Sequence, residues 1–163
     1  MVIVLDVTEK EIEDAKRVTA EFDEQKTHEK FDFKGNWIGY LGELKLNQYF
    51  EEHNISCPWV TFVKEGTDDE DFKTTKGKTI DIKTSWSPSL KIRNTKFDYY
   101  ICALFVEDRK ELRLLSWATG KQLQARINNG NFIDRETYKE FAGLKAPMKD
   151  INQDTFKLEV SKW

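Results

Sequence analysis

Histidine and cysteine are scarce in this chain, with two of each in 163 residues. Cys57 precedes a proline, Cys102 sits in an apolar run, and His28 and His53 lie far apart. None of them has the spacing of a zinc site, and surface positions are expected for the histidines. Long apolar runs are missing too. Nothing approaches the roughly 20 residues that a membrane helix needs. Residues 1–7 lack both the positive start and the length of a signal peptide. The expectation is an intracellular, cytoplasmic protein with no membrane contact. Internal repeats and low-complexity linkers are also absent, which argues against repeat arrays and tethered domains. An excess of basic residues is missing as well. Lys and Arg number 26 against 29 Asp and Glu, a net charge of −3. Charge alone therefore argues against a simple nucleic-acid binder.

What the chain does have is material for a core. Hydrophobic residues make up 39% and charged ones 34%, with five Trp and eleven Phe, a composition that excludes disorder. One domain over residues 1–163 is the default at this length. Its charge is unevenly spread. Glu65, Asp68, Asp69, Glu70 and Asp71 crowd together with no base among them. Lys73, Lys76, Lys78, Lys83, Lys91, Arg93 and Lys96 follow against the single acid Asp81. An acidic knot beside a basic strip suits a protein that gathers cations at one point and phosphates around it. The same pattern also describes two solvated loops.

Local signals set the elements. Thr8-Glu-Lys-Glu11 is a capping box, with Val7 and Ile12 placed for a hydrophobic staple. A helix over about 9–25 follows, with Ile12, Ala15, Val18 and Phe22 as its apolar stripe. After a polar stretch from Gln25 to Lys34, a second helix is predicted from about Asn36 to His53-Asn54. On it Gly39, Gly42, Leu46 and Phe50 share a side, with Glu43 at the edge. Interior glycines disfavour a helix, so Gly39 and Gly42 predict close approach to another backbone, carrying Glu43 toward it. A hairpin spans 71–84, and a Trp86-Ser-Pro-Ser loop follows it. Residues 97–106 read as a strand buried on both faces, and 112–117 as another. A short helix is predicted from Thr119 to about Ile127, a turn at 128–131, a helix over 134–141 and a weak final strand over 156–160. The sum is a mixed sheet flanked by helices.

The hairpin carries the chemistry. Along Thr79-Ile-Asp-Ile-Lys-Thr84, alternation points Ile80 and Ile82 one way, and Asp81 and Lys83 together the other way. Asp71 opens the partner strand. An acid, a hairpin and then Asp81-Ile82-Lys83, with Gly42-Glu43 on a preceding helix, resembles the PD-(D/E)XK, or restriction-endonuclease-like, nuclease superfamily. The resemblance covers roughly residues 35–125. Residues 1–34 form an N-terminal strand and helix extension to that core, and 126–163 a C-terminal helix and strand. Glu70 stands where the superfamily name has proline. Asp68 and Asp69 compete with Asp71 for the first acid; Asp71 is preferred because it directly precedes Phe72.

What the resemblance implies is a metal-dependent deoxyribonuclease using Mg²⁺, with Mn²⁺ able to substitute. Glu43, Asp71, Asp81 and Lys83 would form the catalytic set. Asp71, Asp81, the Ile82 carbonyl and Glu43 would be the metal ligands. Lys83 would orient water, stabilise charge on phosphate, or act as a base. DNA would be the partner, contacted by Lys73, Lys76, Trp86, Lys91, Arg93 and Lys96. Lys121 and Gln122, at a helix start, would be further phosphate contacts. The small size favours a structure-selective or end-trimming nuclease, or one of viral, phage or mobile-element type. The N-terminal helix would pack on the core or serve a homodimer. Two rivals stand beside this reading. One is a non-catalytic DNA-binding or assembly protein that keeps the fold. The other is a protein-interaction module docking a basic partner on the acidic loop 65–71.

Overall fold

The structure, a computed structural model, describes residues 2–25, 36–60 and 70–163, with backbone alone for 21–25 and 36. His28, Glu65, Asp68 and Asp69 lie outside the described residues, as does the polar stretch before the second helix. The elements are β1 (Ile3–Asp6), α1 (Glu9–Gln25), α2 (Asn36–Glu52), β2 (Phe72–Lys73), β3 (Thr79–Ser85), β4 (Ser89–Ile92) and β5 (Tyr99–Val106). A 3-10 turn (Glu107–Arg109) leads to β6 (Glu111–Thr119) and α3 (Gly120–Asn128). Short strands β7 (Ile133–Asp134), β8 (Lys139–Ala142) and β9 (Lys149–Asp150) precede α4 (Phe156–Ser161).

Five strands run in the order β1-β6-β5-β3-β2, with β9 added on β6, while β4, β8 and β7 form a second small sheet. The main sheet is mixed: β3 and β5 are parallel and the other pairs antiparallel. A parallel neighbour demands a crossover, and here the excursion through β4 supplies it. The chain is therefore α/β, with helices flanking a mixed sheet.

β5 is the central strand, and its alternation divides the core. Ile101, Ala103 and Phe105 join one cluster with residues of α1, α2 and α4. Tyr100 and Cys102 join another with Leu90 and Ile92 of β4, Leu123 of α3 and Phe141 of β8. The strand is buried on both faces because one layer covers each.

The ends of the chain are built into this plan. β1 pairs with β6 from Ile3↔Leu114 to Asp6↔Glu111. At the start of α1, Thr8 Oγ1 accepts from Glu11 N at 3.1 Å, and Glu11 Oε1 accepts from Thr8 N at 2.9 Å. Val7 and Ile12 are both buried, completing the staple. The stripe departs from its prediction at one place: Thr19 is buried while Val18 is only partly so. Thr19 can turn inward because its hydroxyl donates to the Ala15 carbonyl at 2.8 Å. The side chain of Phe22 lies outside the described residues.

Three elements differ from the sequence expectation. Residues 134–141 are not helical: β7 and β8 form a hairpin there, with Arg135 paired to Glu140 at 3.1 Å. β8 adds to β4, a strand that the expected loop concealed, in register Leu90↔Phe141 and Ile92↔Lys139. Four-residue strands carry too little periodicity to outweigh local helix propensity until the partner strand is present. The expected strand at 156–160 is the helix α4. Phe156 and Val160 are buried while Leu158 is 60% exposed, the spacing of a helix face and not of a strand.

Candidate functional site

α2 brings Glu43 to the hairpin by close packing. A Cβ on Gly42 would lie 1.9 Å from Thr84 Oγ1 of β3, so only glycine lets the helix sit this low. Gly39 meets nothing within 4 Å among the described residues, so among them the expected pair of contact glycines reduces to Gly42, whose neighbour is a side chain. Glu43 is 7% exposed, and its Oε1 accepts from Trp59 Nε1 at 3.2 Å. Trp59 is held by a bridge to Phe72 and by the Tyr40 ring at 5.7 Å.

Asp71 occupies the end of a short ladder. Its amide donates to Ile80 O at 3.0 Å, and Phe72 pairs with Ile80. The next outward amide of β3 belongs to Ile82, which donates to Asp71 Oδ2 at 2.8 Å. The carboxylate thus takes the place of a strand partner. A residue's amide and carbonyl leave a strand toward the same neighbour, so the Ile82 carbonyl faces this edge as well.

On β3 the alternation holds. Ile80 and Ile82 enter the helix-side core, and Asp81 and Lys83 project together. Lys83 Nζ lies 3.0 Å from Asp81 Oδ1 and 3.0 Å from Oδ2. Asp81 is 1% exposed, whereas the Lys83 side chain is 38% exposed, so the ammonium caps a buried acid from the solvent side.

The electrostatics single this cluster out. Burial pushes the Glu43 carboxyl up to about 7, with the Asp81 charge adding to the rise; bonds from Trp59 and Asp71 and the Lys83 charge oppose it. Burial also raises Asp71 well above the ordinary carboxylate range, reinforced by Asp81 and Glu43. Three carboxylates and one ammonium carry a formal charge of −3 + 1 = −2 when ionised, which one divalent cation would neutralise. Hard oxygen donors with this charge fit magnesium or manganese. No three His, Cys, Asp or Glu side chains among the described residues stand close enough together to hold a metal.

The expected DNA contacts spread more widely. Lys73 and Lys76 are exposed beside the hairpin turn, and Lys76 Nζ donates to Lys162 O at 3.0 Å. Trp86 follows β3 and is 47% exposed. Lys91 lies opposite Glu140 and 5.9 Å from the Tyr138 ring centroid. Arg93 and Lys96 are exposed after β4, with Lys96 Nζ 5.0 Å from the Phe97 ring centroid. At the start of α3, Lys121 is exposed, and Gln122 Oε1 accepts from Thr119 N at 2.9 Å as half of a capping box. The structure brings Glu43, Asp71, Asp81 and Lys83 together, and these eight stand outside that cluster.

Three residues of the site escape a reading by motif. Trp59 holds Glu43, Tyr40 backs Trp59, and Thr84 fills the notch above Gly42. Thr84 Oγ1 is buried with no hydrogen-bond partner among the described residues. The apolar Trp59-Val60 run before the acidic knot is the available signal for Trp59; nothing local marks the other two. No described helix is long and apolar enough to cross a membrane. No protein-family model matches the chain, and no curated protein matches it significantly.

Proposed function

We propose that this protein is a divalent-metal-dependent deoxyribonuclease of the restriction-endonuclease-like type. The observation that carries the reading is the convergence of Glu43, Asp71 and Asp81 with Lys83, where burial and mutual repulsion push two of the acids above their ordinary range. Such a cluster destabilises the fold unless a cation is meant to enter it.

Glu43, Asp71 and Asp81 would hold Mg²⁺ or Mn²⁺, with the Ile82 carbonyl as a further oxygen. When bound, the ion would supply positive charge to the phosphate being cleaved. Lys83 would leave Asp81 as the ion enters, freeing its ammonium for the phosphate oxygens or for orienting the attacking water. Trp59 would keep Glu43 in place through its indole N–H. The exposed lysines around the hairpin would steer the DNA backbone.

The test is cleavage. Purified protein should nick or cut DNA with Mg²⁺ or Mn²⁺ and stop on addition of chelator, and Asp81→Ala should be inactive. Equal cleavage by wild type and Asp81→Ala would refute the site. Calorimetry separates the non-catalytic alternative: no metal binding at millimolar concentration, with DNA affinity indifferent to metal, would support a binding protein instead.

A further inference from the structure

The loop that leaves β3 carries an aromatic surface that the hydrolytic site does not use. Trp86 is 47% exposed and is the one aromatic among the exposed large hydrophobic residues of the described structure. It sits three residues beyond Lys83, so its backbone lies within about 10 Å of the lysine's. It is also held in place. Trp37, at the start of α2, meets it edge-to-face at a centroid distance of 6.0 Å and 72° between planes. Trp37 is anchored in turn on buried Phe105 at 5.6 Å. The exposed Lys16 of α1 places its Nζ 4.9 Å from the Trp37 ring centroid. Three elements thus assemble an indole pair, with the Lys16 ammonium on the Trp37 ring.

An edge-to-face contact covers at most one face of each ring, so Trp86 keeps a face for a further planar group. The packing role is served by Trp37, which links the pair to the core. A flat apolar ring in water is the chemistry that stacks on a nucleobase. Bases inside a duplex already stack on both sides and offer no free face; an unpaired base does.

We infer that Trp86 stacks on an unpaired nucleotide of the bound DNA, so that the substrate is DNA with single-stranded character: an overhang, a flap or a splayed end. The inference rests on the deoxyribonuclease reading for its account of cleavage, but the binding it describes can be measured without it. Trp86 then selects substrate by shape, while the acids and Lys83 act on the phosphate.

The test uses the full chain in chelator, where no cleavage intervenes, with two DNA ligands that differ only in a single-stranded overhang. 2-Aminopurine at the first unpaired position reports stacking by its fluorescence. Wild type should bind the overhang DNA more tightly than the blunt duplex and quench the probe. Trp86→Ala should lose roughly 5- to 100-fold in affinity for the overhang, bringing it down to that of the blunt duplex and abolishing the quench. Trp86→Phe, which keeps a ring, should restore most of both. Equal affinity of wild type for the two DNAs would overturn the inference, as would an overhang preference that survives Trp86→Ala. A wild type that binds no DNA overturns it too, and the melting temperature of each variant shows whether it has folded. The two readings fail separately. A Trp86-dependent overhang preference in a protein that cuts nothing with any metal keeps the stacking and removes the nuclease. Metal-dependent cutting with the preference intact in Trp86→Ala does the reverse.

Discussion

Two buried polar clusters sit two residues apart on α2 and behave in opposite ways. Lys45, 9% exposed, donates to Glu11 Oε2 at 3.1 Å and to Gln48 Oε1 at 2.8 Å, while Gln48 Nε2 also donates to Glu11 Oε2 at 3.1 Å. Burial pushes the Glu11 carboxyl up, but the Thr8 amide, Lys45 and Gln48 outweigh it, and the net position is below the ordinary value. Glu43, on α2, is buried more deeply than Glu11 and is raised to about 7. The difference lies first in burial and then in the neighbours. Glu11 meets a cation and two donors, and its cluster ties α1 to α2. Glu43 meets two further acids, and Lys83, the cation that acts on them among the described residues, is already drawn onto Asp81. One cluster is balanced in charge as folded; the other carries an excess of negative charge when ionised.

The largest effect that separates them is on catalysis. Glu43→Gln should lower metal-dependent cleavage by about 100-fold or more, whereas Glu11→Gln should leave the rate per folded molecule near wild type. A cleavage assay corrected for folded fraction decides this; equal losses from the two changes would erase the contrast.

Next is stability against pH in chelator. Folded Glu43 titrates near 7 against 4.5 for the ordinary carboxyl. Between those values the folded chain holds a proton that the unfolded chain has released. Stability should therefore fall as pH rises through that window, by about 3 kcal/mol at its far side. Asp71, also raised, acts in the same direction. Glu43→Gln should be the more stable protein at pH 8 without metal, and saturating Mg²⁺ should raise the melting temperature of wild type but not of the variant. A metal-free melting temperature that climbs from pH 5 to 8 would contradict the charge picture.

The balanced cluster should show the opposite response. Lys45→Ala removes the cation from a pair whose side chains are 11% and 18% exposed and should cost about 2–3 kcal/mol. Denaturant titration measures it, and a loss below about 0.5 kcal/mol would mean the pair is solvent-screened. The smallest effect concerns the notch beside Glu43, where Gly42 meets Thr84. Gly42→Ala should destabilise by about 1–2 kcal/mol because its Cβ meets Thr84 Oγ1. Thr84→Ala in the same chain should recover part of that. A double variant no better than the single one would place the clash elsewhere.

Much of the frame was legible because its signals are local. The capping boxes at Thr8 and Thr119 mark two helix starts within a few residues of sequence. The apolar run of β5 and the alternation of β3 mark strands by period alone. The facing of Asp81 and Lys83 follows from that alternation and needs no partner strand. The hairpin at 133–142 and the helix at 156–161 were not legible, since short elements take their conformation from what they pack on. Gly39 and Gly42 show the same limit in one helix: identical residues, of which only Gly42 has a close neighbour among the described residues.

The sequence by itself determined that the chain builds a core, where its long helices and main strands run, and that an acid and a lysine share one side of β3. Covalent order and side-chain period are enough for each of these. Only the tertiary structure decided that Glu43 reaches Asp71, that Trp59 holds it there, and that Trp86 stands on Trp37 at the surface. These contacts join residues on different elements, and the packing of α2 onto β3 sets their distances. Burial, which raises the carboxyls, is likewise a property of the packed assembly and of no single segment.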